Sequence, residues 1–126
     1  MSIRGIRGAV IADDNQAASI LCASRALLEA ILHANPTLAA SDVASVLFTV
    51  TEDLNAAHPA KAARELGWSE VPLMCAQEIP VPGSLAHCIR VLIHWNTDIP
   101  QNEVQHVYLG EAASLRPDLS IRRLSS

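Results

Sequence analysis

Aromatic side chains are scarce in this chain of 126 residues: Phe48, Trp68, Trp95 and Tyr108 are all there are. A core here must be assembled from Leu, Ile, Val and Ala. Lysine occurs once, at Lys61, against eight arginines, and the net charge is −4. A nucleic-acid binder normally shows a basic surface with aromatics for stacking, so that class of partner is disfavoured. Cys22, Cys75 and Cys88 are odd in number and form no CxxC pair. That pattern excludes a disulfide framework or a thiolate zinc site and suits a reducing cytoplasm. His33, His58, His87, His94 and His106 show no metal-ligand spacing, and GxSxG, P-loop and GxGxxG motifs are missing. Arg4, Arg7, Asp13 and Asp14 interrupt the first twenty residues, so no signal-peptide core forms there. No uninterrupted apolar run approaches the ~18 residues that a membrane span needs. Expected, then, is a cytoplasmic protein with no membrane and no nucleic-acid partner.

What is present is apolar. Half of the residues are hydrophobic and 17% are charged, as in a folded globular chain. Residues 3–11 read as a strand rich in branched side chains, with Arg4 and Arg7 pointing to opposite faces because strand side chains alternate. The two arginines therefore have different tasks, and the glycines beside them leave the strand slim for a ligand or a neighbouring chain. Asp13, Asp14 and Asn15 offer helix caps before an Ala- and Leu-rich helix. Its stripe is Ile20, Leu27, Leu28, Ile31 and Leu32, with Cys22 as inert filler, and Asn35-Pro36 ends it. Residues 43–51 read as a buried strand. Pro59 opens a short helix that Gly67 ends. Strands are also expected over 71–76, 88–97 and 104–110. The order β-α-β-α-β-β-β predicts an α+β fold, a mixed β-sheet with one long and one short helix. A single domain is expected over 1–120, with 121–126 a flexible tail.

The polar residues on these elements invite two readings each. Arg90 shares a face with Cys88, Leu92 and His94, and periodicity alone favours a solvated sheet face. Glu78 and Cys75 have opposite parity in a regular strand, so they meet in one site only if the strand ends or bulges between them. Lys61 and Arg64, three apart, share one side of the short helix. Tyr108 lies on a strand face with His106. Together they describe a pocket for a small polyanion with no evident nucleophile or metal, and composition and spacing go no further.

The segments IRGIRGA at 3–9, HPAKAARELGW at 58–68, VPLMCAQEI at 71–79, CIRVLIHWNTDIP at 88–100, HVYLGEA at 106–112 and LRPDL at 115–119 resemble the monofunctional chorismate mutases of the small trimeric type. The resemblance is collinear over nearly the whole chain and includes the charged positions. It implies a homotrimer forming a pseudo-α/β barrel with helices on one face of each sheet, with sites in clefts between neighbours. It implies the rearrangement of chorismate to prephenate, on the route to phenylalanine and tyrosine, with no cofactor. By motif, Arg7 would clamp a substrate carboxylate, Arg90 would contact the ether oxygen, and Glu78 would bond the ring hydroxyl. Cys75 would sit beside that hydroxyl, and Tyr108 would contact a carboxylate. Lys61, Arg64, Leu115 and Arg116 would line or close the mouth. His58 stands where the family tends to carry phenylalanine, which changes the apolar closure expected there. A non-catalytic trimer binding small carboxylates is the alternative on the same scaffold. An enamine or imine deaminase would share the fold class but not these motifs.

Overall fold

The strand over residues 88–97 alternates along its length: Ile89, Val91, Ile93 and Trp95 are buried, while Arg90, Leu92, His94 and Asn96 are half-buried. Such a strand has one face for a dry core and one for something else. In the computed structural model, which describes residues 1–116, it is the central strand of a five-stranded sheet. The strands are β1 (Ser2–Ile11), β2 (Val43–Val50), β3 (Leu73–Gln77), β4 (Cys88–Thr97) and β5 (Val107–Tyr108), and the helices are α1 (Ala17–Ala34) and α2 (Ala60–Glu65). The spatial order is β3-β2-β4-β1-β5. β4 runs antiparallel to both β1 and β2, whereas β3 on β2 and β5 on β1 are parallel. The sheet is therefore mixed, as the sequence pattern predicts. The expected boundary at 120 and the tail 121–126 lie outside the described residues.

Both helices cover the same face. Ile20, Leu27, Leu28 and Ile31 of α1 join Ile6, Val10, Phe48, Ile89, Val91, Ile93 and Trp95 of the sheet in one apolar core. Ser24 fills the remaining place in the stripe, its hydroxyl donating to the Ile20 carbonyl at 2.7 Å, which satisfies a buried polar group within its own helix. Leu32 is only partly buried, and Cys22 is exposed on the helix surface rather than filling the core. By length and mean composition α1 is apolar enough to cross a membrane, although Arg25 and Glu29 interrupt its apolar run. Its stripe is instead spent on the sheet.

Several local expectations are corrected. The helix begins at Ala17 behind Gln16, with no side-chain cap. Asn15 serves the loop after β2: its Oδ1 accepts the N–H groups of Asn55 and Ala56 at 2.9 and 3.1 Å, so it is not available to the helix. β3 starts at Leu73 rather than at 71, and β5 is two residues long rather than spanning 104–110, because Gly110 turns left-handed (φ 57°) into a 3-10 turn, Gly110–Leu115. Gly8 is required by the core: a Cβ there would meet the Val107 carbonyl oxygen at 2.9 Å and the Cδ1 atoms of Ile31 and Leu27 at 3.1 Å. Arg4, on the helix side, donates from Nε to the Ile99 carbonyl at 3.0 Å, a structural role that needs no ion pair.

The end of α1 is fastened to the chain entering β5 by buried Asn35. Its Nδ2 donates to the carbonyls of Ile31 and Gln105 at 3.0 and 2.9 Å, and its Oδ1 accepts the Gln105 N–H at 3.0 Å. Asn35→Ala leaves the Gln105 N–H and carbonyl without these partners and should cost about 1–3 kcal/mol of stability. Gly8→Ala must push β5 or α1 outward and should cost a similar ~1–3 kcal/mol. Both are checked by denaturant unfolding, where unchanged midpoints would contradict the packing described.

Candidate functional site

The uncovered face of the sheet is built by register. Arg90 on β4 pairs with Thr49 on β2 and with Ala9 on β1, and Ala9 pairs with Tyr108 on β5. Just past the end of β3, the Glu78 N–H donates to the Val50 carbonyl at 2.8 Å and carries the carboxylate to the same face. One transverse row of the sheet thus reads Ala76, Thr49, Arg90, Ala9, Tyr108, and the Glu78 carboxylate reaches it from just beyond the end of β3 through the Thr49 hydroxyl. Arg7 stands two residues along β1, beside Leu92, whose other neighbour is Leu47. These side chains bound an open cleft of about 320 Å³ lined by Arg7, Leu47, Thr49, Glu78, Arg90, Leu92 and Tyr108.

Arg90 and Glu78 are the electrostatic centre of this cleft. The Arg90 Nε lies 3.4 Å from Glu78 Oε1. It is nevertheless the one buried side-chain polar atom among the described residues that has no hydrogen-bond partner. The contact is an ion pair without the alignment of a hydrogen bond. Glu78 Oε1 is occupied by the Thr49 hydroxyl, which donates at 2.5 Å. The carboxylate is thus held in place by Thr49, while the guanidinium keeps donor capacity and remains 38% exposed to the cleft. Arg7 is exposed, its guanidinium has no ion-pair partner among the described residues, and its backbone N–H donates to His106 Nδ1 at 2.9 Å. Two arginines with spare donors beside one fixed carboxylate form a site for an anion that also carries a hydroxyl.

On the same face, beside the cleft, Ala9, Cys88, Tyr108 and Ala112 make a small second core, with Leu115 packed against it. Burial pushes the Cys88 thiol above its usual range, and the nearby Arg90 charge offsets this only in part. Cys88 is accordingly a neutral packing group next to the site. Arg116 is half-buried at the end of the described chain, and residues 117–119 of the LRPDL motif lie outside it.

The remaining candidates are elsewhere on this chain. The strand does not bulge between Cys75 and Glu78: Cys75 pairs with Phe48 and lies on the helix side, partly buried against the core. With His58 and Pro59 it lines a different cavity of about 370 Å³, at the outer edge of β3. Lys61 and Arg64 are exposed on α2 near that cavity's His58-Pro59 rim. The chain therefore carries two separate patches, one around Arg90 and one around Cys75 and α2. Thr49 and Leu47 were missed in the sequence. Strand parity opposite Phe48 is the signal that would have found both.

Comparison with known proteins places the chain by sequence and by fold. The sequence pattern of the family described as chorismate mutase type I matches residues 3–119. The chorismate mutase AroH of Thermus thermophilus is 54% identical over 117 residues, covering 93% of this chain and 96% of the relative. That of Bacillus subtilis is 47% identical over 124 residues, covering 98% and 97%. A solved chorismate mutase from Clostridium thermocellum superposes with a TM-score of 0.84 at 47% identity, covering 87% of this chain and 97% of that one. By sequence over nearly its whole length and by fold, this chain belongs to the chorismate mutase type I family.

Proposed function

We propose that this chain, a chorismate mutase by family, rearranges chorismate to prephenate in the cleft around Arg90, and that the site is completed by a neighbouring copy in a homotrimer. The observation that carries the reading is the Arg90 guanidinium: partly buried, short of hydrogen-bond partners, and set between a fixed carboxylate and a second arginine. A buried unsatisfied donor costs about 1–3 kcal/mol, more when charged, and a ligand oxygen removes that penalty.

The reaction is a [3,3] rearrangement within one molecule: a C–O bond breaks as a C–C bond forms, and no proton or group is passed to the protein. Two things remain for the enzyme to do. It holds a flexible dianion in its compact reactive conformer, and it stabilises charge that separates as the ether bond opens. Arg7 clamps a carboxylate, with Tyr108 beside it. Arg90 meets the negative charge developing on the ether oxygen and the enolpyruvyl fragment. Glu78, steadied by Thr49, accepts from the ring hydroxyl and complements the positive character of the ring. Contacts that strengthen as charge separates raise the rate, whereas uniform binding does not.

Trimer formation accounts for the split of the candidates. Cys75, His58, Lys61 and Arg64 gather at the β3 edge, away from Arg90, so they serve this reaction only if they meet the Arg90 cleft of another chain. The exposed apolar side chains of Met74, on that same edge, and of Ile3 fit surfaces covered by assembly. Leu115, at the end of the 3-10 turn, packs against the cluster of Ala9, Cys88, Tyr108 and Ala112 beside the cleft, and Arg116 follows it. Three free cysteines fit a reducing cytoplasm.

Mixing purified protein with chorismate and following loss of its diene absorbance tests the activity; no loss above the uncatalysed rate would reject it. Arg90→Ala should lower kcat/KM by at least ~10²–10³, the scale of removing a preorganised electrostatic donor. Arg90→Lys keeps the charge but not the planar fork and should remain badly impaired. Near-normal turnover in either variant would sink the assigned role.

A further inference from the structure

The loop between Glu78 and Arg90 returns to the sheet through a strained residue. His87 has φ 53°, the one positive φ outside glycine among the described residues. A left-handed conformation is costly for a side chain with a Cβ and persists where its surroundings impose it. Here the imposing group is visible. The His87 N–H points between both oxygens of Asp53, at 3.1 and 3.0 Å, and its ring Nε2 lies 3.8 Å from Asp53 Oδ2. Asp53 Oδ1 also accepts the Thr51 hydroxyl at 2.5 Å, and Thr51 Oγ1 accepts the Cys88 N–H at 3.0 Å. The Thr51 N–H donates to the Cys88 carbonyl at 3.1 Å, and the Ala12 N–H donates to the His87 carbonyl at 2.8 Å. The ends of β1 and β2 and the start of β4 are therefore tied together at His87 and Cys88, two residues before Arg90.

We infer that Asp53 is a positioning residue for the reaction: it locks His87 directly in its left-handed turn and, through Thr51, holds Cys88, and so fixes where β4 starts and where Arg90 stands relative to Glu78. The inference rests on the assignment of Arg90 above. Asp53 and Glu78 both line one cavity of about 400 Å³ together with residues 79–86, so the clamp and the ion pair lie at the two ends of the same segment. Partial burial raises the Asp53 pKa, but the Thr51 hydroxyl, the His87 N–H and the His87 ring together hold it below the usual carboxylate range. The ionised carboxylate offers both oxygens as acceptors to the one His87 N–H, which is shared between them. Asp53 is not among the residues that line the cleft, and its hydrogen bonds run to His87 and, through Thr51, to Cys88, so the route proposed for its effect is the backbone of residues 87–90.

The test measures kcat and KM for chorismate in the full-length protein carrying Asp53→Ala, His87→Gly, and both. Asp53→Ala should lower kcat about tenfold or more while KM moves less, since small misplacement of a transition-state donor is expensive in rate. His87→Gly alone should stay close to the parent. In the Asp53→Ala background it should restore several-fold of the lost kcat, because glycine adopts φ 53° without a clamp. Adding Asp53→Ala to Arg90→Ala should cause little further loss, since the effect runs through Arg90. Circular dichroism of each variant separates loss of fold from loss of rate. A folded Asp53→Ala protein with parental kcat would overturn the inference, as would a kcat that His87→Gly fails to raise. An inactive parent would instead overturn the assigned reaction.

Discussion

Everything in the site depends on the antiparallel register of β4 between β1 and β2. Because Arg90 lies opposite Thr49 on one side and Ala9 on the other, its guanidinium meets a carboxylate steadied by Thr49 and a strand whose next outward side chain is Arg7. A slip of one residue would send Arg90 into the helix-covered core and Ile89 or Val91 into the cleft. The helix side of β4, closed by Trp95, Ile93, Val91 and Ile89, makes that slip prohibitive. The apolar face thus sets the position of the charged one. Small residues complete the arrangement: Ala9 separates Arg90 from Tyr108 in the row, and Gly8 lets α1 and β5 approach β1 closely.

The chemistry needs this rigidity more than it needs reactive groups. A unimolecular rearrangement gives a protein no proton to move and no bond to make, so its means are geometry and a fixed field. The cleft has both: guanidinium groups with unused donors, and a carboxylate whose own oxygen is already held by Thr49. The strained turn at His87 belongs to the same economy of motion. It holds the start of the central strand with backbone hydrogen bonds at the sheet end instead of with bulk in the cleft.

Much of this was legible in the sequence because strand parity is strict. Parity alone separated Arg4 from Arg7 and put Arg90 opposite Ile89 and Val91. It also set Cys75 apart from Glu78, and the structure keeps that separation. What it could not show was which strands are neighbours, so Thr49 went unnoticed beside Arg90 although its own face was readable. Short-range polar signals were misread where a distant partner competed: Asn15 looked like a helix cap, but its amide serves Asn55 and Ala56 across the fold. β5 was overestimated because a left-handed glycine and a 3-10 turn leave no periodic trace. The roles expected of Arg7, Glu78 and Tyr108 came from resemblance to a family, since strand parity gives the face a side chain lies on and not what it binds.

The central claim is that the Arg90 cleft of one copy works with the Cys75 and α2 patch of another. It is tested most directly by mixing two variants, Arg90→Ala and Arg64→Ala, each impaired alone, after dissociation and reassembly. Mixed assemblies contain interfaces that pair an intact cleft from one chain with an intact α2 patch from the other. The account predicts that chorismate turnover rises well above that of either variant reassembled alone. Reassembled mixtures with no gain, although mass measurement shows both chains in one particle, would contradict a site shared between copies.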